Sequence, residues 1–173
     1  KDSVSKYKEC MKFSRESITM LCDAMINSQI KNFIYFSSAH VYKSNLFGRI
    51  NEKSLTTNDH PYSLSKLLSE KILIKKLKDS HINLKILRLS NAVGYPLFKN
   101  NKVWNLFVND VIKQAVLNKK VIIKSNPLIQ RDFISISEVC RFTYYLIKNE
   151  NFLKNKNILN LGSNKSLSLK QMV

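Results

Sequence analysis

Hydrophobic positions along the chain follow two alternating patterns. Short runs of β-branched and aromatic residues predict buried strands, and apolar residues at helical spacing predict amphipathic helices between them. Alternation of this kind is typical of a parallel sheet flanked by helices, so the predicted fold class is α/β. The predicted strands cover residues 32–37, 84–89, 121–124, 132–136 and 158–161; the predicted helices cover about 5–28, 62–78, 103–117 and 137–148.

The starts of three helices carry capping signals. Pro61 suits a first helical turn, where its missing N–H group would have no partner, and Asp59 just before it is a candidate cap. Ser137 is expected to cap the fourth helix, and Ser166 or Ser168 is expected to start a last one.

Composition excludes several classes of protein. The 173 residues are 44% hydrophobic, enough for a sizeable core, so wholesale disorder is excluded. No segment approaches about 18 uninterrupted apolar residues, which predicts no membrane partner. The first 17 residues lack the apolar run of a secretory signal, and the three cysteines form no C-x-x-C pair. We therefore expect a cytoplasmic protein with no metal site.

The charge is strongly basic, with 29 Lys and Arg against 12 Asp and Glu and a net charge of +17. Such a field favours an anionic partner, either a nucleic acid or a small molecule. The lysines are scattered along the chain, and most aromatic residues lie in apolar runs that predict core. A nucleic-acid groove usually combines clustered arginines with exposed aromatics, so an anionic small-molecule substrate is the favoured interpretation.

Candidate chemistry centres on Ser38, Tyr62 and Lys66. Tyr62 and Lys66 are four residues apart on a predicted helix and therefore share a face. An ammonium near a phenol stabilises the phenolate and lowers the phenol pKa, so the tyrosine can exchange a proton with a substrate hydroxyl. Ser38 follows a predicted strand, at the sheet edge where ligands of open α/β sheets bind.

The Y-x-x-x-K spacing alone is weak evidence, because it occurs three times in this chain. The pair Tyr95/Lys99 is interrupted by a proline, and Tyr144/Lys148 has no serine at a strand end at a comparable distance upstream. Only Tyr62/Lys66 combines a helix start with such a serine.

Five segments in order resemble the extended short-chain dehydrogenases/reductases, the NAD-dependent epimerase/dehydratase family. They are IKNFIYFSSAHVYKS, HPYSLSKLLSEKIL, LKILRLSNAVGYP, QRDFISISEVCRFTYYLI and ILNLGSNKSLSLKQMV. The resemblance implies a partial doubly wound, Rossmann-like parallel sheet with the start of a small substrate-binding domain. It places the C-terminal part of the NAD(P)-binding domain at residues 1–100, and a mixed region with substrate-binding elements and returning strands at 101–173.

The resemblance also implies roles for single residues. Tyr62 would be the acid/base, Lys66 would lower its pKa, and Ser38 would complete the catalytic set. Tyr62 and Lys66 would also bind the cofactor, at its nicotinamide ribose. Asn91 would contact the substrate, Arg131 would bind its diphosphate, and His40 is a further candidate substrate contact. The implied cofactor is NAD or NADP, the implied substrate is a nucleotide sugar, and a homodimer is expected. From the residues alone, Asn91 could instead be a turn residue and Arg131 could pair with Asp132.

Departures from the family pattern narrow the reaction. Lys43 stands where the family usually has glycine, and the family's sugar 4,6-dehydratases carry acidic residues at the positions of Ala39 and His40. Dehydration is therefore disfavoured, and epimerisation or reduction is expected. A non-catalytic nucleotide-sugar-binding relative and a basic nucleic-acid-binding module remain alternatives.

The glycine-rich turn that binds the dinucleotide in this family is missing. The chain holds only Gly48, Gly94 and Gly162, which cannot form G-x-G-x-x-G. The resemblance begins about one third of the way into such a protein. We therefore expect the chain to be part of a longer enzyme, inactive by itself and a weak binder of NAD(H).

Overall fold

The computed structural model describes residues 2–43, 48–98, 102–149, 152 and 156–173. The described residues form an α/β fold with two compact units, Lys1–Leu89 with Leu146–Asn160 and Ser90–Tyr145 with Leu161–Val173. The helices are α1 (Asp2–Ile26), α2 (Pro61–Leu77), α3 (Phe107–Asn118) and α4 (Ile136–Lys148). The strands are β1 (Asn32–Ser38), β2 (Asn83–Leu89), β3 (Asn91–Val93), β4 (Gln130–Ser135), β5 (Ile158–Leu161) and β6 (Ser166–Ser168).

The first unit is built on a parallel sheet in the order β1-β2-β5. Strands β1 and β2 pair in parallel along their whole length, from Asn32 opposite Asn83 to Ser38 opposite Leu89. Helices α1 and α2 pack against each other and cover the sheet with apolar side chains. The buried core comprises Cys22, Met25, Leu73, Leu77, Ile82, Leu84 and Ile86. This arrangement confirms the predicted α/β fold with a parallel sheet.

A buried ion pair joins α2 to the sheet. Arg88 of β2 donates to Glu70 of α2 from Nη2 at 2.6 Å and from Nε at 3.1 Å, and both residues are almost fully buried. The Ser37 hydroxyl donates to the same carboxylate, while Arg88 Nη1 donates to the Tyr42 hydroxyl at 3.0 Å. Burial lowers the pKa of Arg88, but the hydrogen bonds to Glu70 and Tyr42 outweigh it and raise the pKa above its ordinary value.

The same network reaches β5 and the loop that precedes α2. The Tyr42 hydroxyl donates to Asn160 Oδ1, and the backbone N–H of Asn160 donates to Glu52 Oε1 at 2.8 Å. That backbone hydrogen bond is the main reason why the pKa of Glu52 is lowered. Helix α2, strands β1, β2 and β5, and the loop around Glu52 are therefore tied together by polar contacts around Arg88.

The second unit is built on a small mixed sheet in the order β3-β4-β6. Strand β3 runs parallel to β4, and β6 runs antiparallel to it. The Asp132 carboxylate accepts from the backbone N–H groups of Ser163 and Lys165 and from the Ser163 hydroxyl, which ties the turn before β6 to β4. A side chain at Gly162 would place its Cβ 2.8 Å from Asp132 Oδ1, so it would push the carboxylate away from these hydrogen bonds.

Two predicted helix caps are wrong by one or two positions. His60, and not Asp59, caps α2, because His60 Nδ1 accepts from the Tyr62 N–H at 3.3 Å. The cap of α4 is formed by Ser135, whose Oγ accepts from Glu138 N at 3.1 Å, and Ser137 lies inside the helix.

Two predicted elements are also wrong. Residues 121–124 form no strand, because the Gln114 side chain bonds both the N–H and the C=O of Ile122 and takes the place of a neighbouring strand. The expected last α-helix is instead strand β6 followed by a single 3-10 turn, Leu169–Met172. Ser168 caps that turn through a reciprocal capping box with Gln171.

The predicted division of the chain at residues 100 and 101 falls outside the described residues and stays a prediction. Among the described helices, none is both long and apolar enough to cross a bilayer.

The buried ion pair predicts a large difference between two acidic residues. Glu70→Gln should destabilise the protein by about 3 kcal/mol, because it leaves the Arg88 guanidinium buried without a counter-charge. Urea unfolding of the full-length protein measures this difference. Glu138→Gln, which breaks the exposed pair with Arg141, is the control and should change stability by less than about 1 kcal/mol. Equal unfolding midpoints for the two variants would contradict the structural role of the pair.

Candidate active site

Ser38 is the last residue of β1 and lies at the carboxyl edge of the parallel sheet. It is 7% exposed, and its hydroxyl oxygen accepts from the His40 N–H at 3.2 Å. This bond caps the 3-10 turn Ala39–Val41, which carries the chain away from the sheet. The hydroxyl is therefore held at the place where a strand ends and ligands of parallel sheets bind.

Tyr62 lies in the first turn of α2, where Pro61 starts the helix and His60 caps it. Its side chain is 47% exposed, although the next turns of the same helix are buried against the sheet. A phenol presented to solvent at a helix start can reach a ligand without any rearrangement of the core. The short sequence of cap, proline and tyrosine is what places it there.

Lys66 follows Tyr62 by one helical turn, and its ammonium lies near two aromatic rings. Lys66 Nζ is 5.9 Å from the centre of the Tyr62 ring and 5.0 Å from the centre of the Tyr35 ring. It donates to the backbone carbonyl of Phe36 at 2.9 Å. Because this bond fixes the ammonium at β1, the positive charge stays close to the Tyr62 ring. An ammonium has three N–H donors, and the bond to Phe36 uses one of them.

His40 approaches Tyr62 from the turn after β1. The two rings meet edge to face, with centres 6.4 Å apart and an angle of 74° between their planes. The structure therefore brings Tyr62, Lys66 and His40 together. Ser38 is linked to the same group through the backbone of His40.

Asn91 and Arg131 belong to the second unit. Asn91 starts β3 and its Nδ2 donates to the Asp132 carbonyl at 2.8 Å, so the side chain joins β3 to β4. Arg131 lies in β4, paired with Leu167 of β6, and is partly exposed. Among the described residues its guanidinium forms no ion pair with Asp132, whose carboxylate is bonded to the turn at Ser163.

Several residues around the site were not singled out in the sequence. Tyr35 contacts Lys66, and burial raises its pKa. Glu70 and Arg88 hold α2 against the sheet. Glu70 and Arg88 could have been found from the sequence, because both lie in the segments that resemble the family. Glu70 is four residues after Lys66, and Arg88 is two residues before Ser90.

A family model matches residues 2–162, described as the NAD dependent epimerase/dehydratase family. This chain belongs to that family. The match confirms the resemblance read from the five segments, and the family description names NAD as the cofactor of its members.

Individual relatives agree with the family assignment. The chain is 27% identical over 179 residues to a dTDP-D-glucose 4,6-dehydratase of Dictyostelium discoideum, covering 95% of this chain and 39% of that protein. It resembles the structure of UDP-glucuronic acid 4-epimerase from Bacillus cereus, solved with UDP-glucuronic acid and NAD, with a TM-score of 0.77 and 23% identity over 91% of this chain and 48% of that one.

A second solved structure has the same architecture. UDP-N-acetylglucosamine 4-epimerase from Bacillus cereus superposes with a TM-score of 0.76 and 24% identity over 90% of this chain and 51% of that one. At these identities the similarity concerns the fold. The chain spans about half the length of these solved relatives.

Proposed function

We propose that this chain carries the acid/base centre of an NAD-dependent enzyme that epimerises or reduces a nucleotide sugar. The observation that supports it most is the exposed Tyr62 phenol at the start of α2, with Lys66 and His40 beside its ring. Family membership supplies the reaction class, and relatives solved with NAD and UDP sugars supply the kind of cofactor and substrate.

The proposed chemistry at Tyr62 is reversible proton transfer. The Tyr62 oxygen removes the proton of a sugar hydroxyl as the carbon becomes a ketone, and it returns the proton when the alcohol forms again. NAD, when bound, accepts and returns the hydride. Lys66 places a positive charge 5.9 Å from the centre of the Tyr62 ring, and the Ser38 hydroxyl is assigned a hydrogen bond to the same sugar oxygen.

The donor set of the first unit fits one end of the cofactor. Lys66 has further N–H donors beyond its bond to Phe36, and ribose hydroxyls are suitable acceptors for them. The three glycines of this chain form no glycine-rich turn for a pyrophosphate. We therefore propose that Tyr62 and Lys66 contact the nicotinamide ribose and no other part of the cofactor.

Epimerisation or reduction is proposed in preference to dehydration. Removing water from a sugar needs an acid for the leaving hydroxyl and a base for the neighbouring carbon, in addition to the redox step. The family's 4,6-dehydratases have acidic residues at the positions of Ala39 and His40. Ala39 has no ionisable group, and the His40 ring packs edge-on to Tyr62. The similarity to the Dictyostelium dehydratase covers 39% of that protein and does not decide the reaction.

Recognition of the anionic part of the substrate is proposed for the second unit. The Arg131 guanidinium can bond two phosphate oxygens at once, and it is partly exposed on β4. Asn91, on the neighbouring strand of the small sheet, and His40 are each proposed as a further substrate contact. The net charge of +17 would attract such a substrate.

A homodimer in the cytoplasm is part of the same proposal. Phe13 and Met20 expose large apolar side chains on α1, a face that a second copy could cover. All three cysteines are free thiols, which fits a reducing compartment.

If Tyr62 is the acid/base, removing its hydroxyl oxygen should lower turnover. Tyr62→Phe in the full-length protein should lower turnover by about 10²–10⁴-fold and leave the fold intact. Steady-state kinetics with UDP-glucose, UDP-glucuronic acid and UDP-N-acetylglucosamine as trial substrates measures the effect. Tyr144→Phe is the matched control, because Lys148 follows it at the same helical spacing in α4. Equal turnover of Tyr62→Phe and the control would refute the assignment, and absence of turnover in the unmodified protein would favour a non-catalytic relative.

The proposed diphosphate contact predicts a loss of binding. Arg131→Ala should weaken binding of UDP by about tenfold to a hundredfold, because charge-assisted hydrogen bonds contribute roughly 1.5–3 kcal/mol. Calorimetric titration of the full-length protein with UDP measures the affinity. Arg141→Ala, on the exposed side of α4, should bind UDP as the unmodified protein does. Unchanged affinity in Arg131→Ala would remove Arg131 from the binding residues.

A further inference from the structure

The two sides of the candidate site come from elements joined by a long loop. Ser38 ends β1 and Tyr62 lies in the first turn of α2. The segment from 42 to 60 between them contains no helix or strand among its described residues. A loop of this length does not by itself hold its two ends at a fixed separation, because many conformations satisfy the connection. The packing of α2 against the sheet and the bond from Lys66 Nζ to the Phe36 carbonyl hold the helix near β1, and a contact between the two ends of the loop would fix the first turn of α2 more closely.

A continuous path of hydrogen bonds supplies that contact. The Ser38 hydroxyl oxygen accepts from His40 N at 3.2 Å, and the His40 carbonyl accepts from Asn58 Nδ2 at 2.8 Å. Asn58 Oδ1 accepts from His60 N at 2.9 Å, and His60 Nδ1 accepts from Tyr62 N at 3.3 Å. The Asn58 side chain is the one link in this path that joins the turn after β1 to the start of α2.

The link requires the particular chemistry of asparagine. Its planar amide donates at one end and accepts at the other, so a single side chain can bind a carbonyl on one segment and an N–H on another. Aspartate has the acceptor but no donor for the His40 carbonyl, and alanine has neither. The bond from Asn58 Oδ1 to the N–H two residues later is the usual short-range turn of this side chain, which glutamine is too long to form in the same way.

We propose that Asn58 is a positioning residue for the acid/base, which holds the start of α2, and with it Tyr62, at a fixed place relative to Ser38 and His40. This inference rests on the proposed function of Tyr62. The hydrogen bonds of the Asn58 side chain go to the His40 carbonyl and the His60 N–H, so its effect on the reaction passes through the backbone of these two residues. A displacement of about 1 Å in a reacting group can lower a rate by about a hundredfold.

Two measurements on the full-length protein test the proposal. Hydrogen–deuterium exchange should show faster exchange in peptides covering 39–42 and 60–66 for Asn58→Ala. Asn58→Asp keeps the acceptor for His60 N and should lose protection mainly in 39–42. Asn51→Ala is the matched control, because Asn51 Oδ1 accepts from Lys53 N in the same kind of turn within the same loop. Its faster exchange should be confined to the segment around residue 53. Unchanged exchange in Asn58→Ala would overturn the link whatever the enzyme does.

Kinetics with the trial UDP sugars test the consequence for the reaction. Asn58→Ala should lower kcat by about tenfold or more with a smaller change in KM, because the phenol is misplaced while the proposed substrate contacts of Asn91 and Arg131 remain. Asn51→Ala should match the unmodified protein. If Tyr62→Phe is inactive but Asn58→Ala keeps full kcat, or changes KM alone, the positioning role is overturned and the proposed function stands. If Tyr62→Phe keeps full turnover, the proposed function itself fails.

Discussion

The buried ion pair between Glu70 and Arg88 is the interaction on which the rest of the first unit depends. Two charges inside a protein are stable only when their remaining hydrogen-bonding groups are also satisfied. Ser37 and Tyr42 meet that requirement, and Tyr42 extends the network to Asn160 on β5. Since Glu70 lies one helical turn after Lys66 and two turns after Tyr62, the pair anchors the helix that carries the candidate catalytic side chains.

Helix α2 is anchored to the sheet by the buried Glu70 in its middle and exposes Tyr62 in its first turn. The buried end of α2 packs Leu73 and Leu77 against the sheet, while its first turn presents a phenol to solvent. In that first turn Ser63 is buried while Tyr62 is exposed, and hydrogen bonds with the loop and with the turn after β1 add to the packing. The candidate site therefore lies at the end of α2 where hydrogen bonds from the loop supplement the packing against the sheet.

The strands β1, β2 and β5 and the helix α2 could be predicted because their signals are local: apolar runs, a proline at the first turn and a Y-x-x-x-K spacing. The rest depends on contacts distant in sequence. Strand β3 has only three residues and is stabilised by its pairing with β4. Residues 121–124 have the sequence pattern of a strand, but the Gln114 side chain bonds the backbone of Ile122 instead. The hydrogen bonds of Asn58 to His40 and of Arg88 to Glu70 likewise join residues on different elements, which the hydrophobic pattern of the sequence does not relate.

Under the proposed function, Tyr62 exchanges a proton with a sugar hydroxyl and no water is removed from the sugar. The most direct test of this claim is product analysis by NMR and mass spectrometry after incubation of the full-length protein with NAD and the trial UDP sugars. The proposed function predicts a product that keeps every oxygen atom of the sugar, either with one carbon inverted or, for a reductase running in reverse, with one hydroxyl oxidised to a ketone while NAD takes up the hydride. A product lighter than the substrate by one water molecule would contradict it.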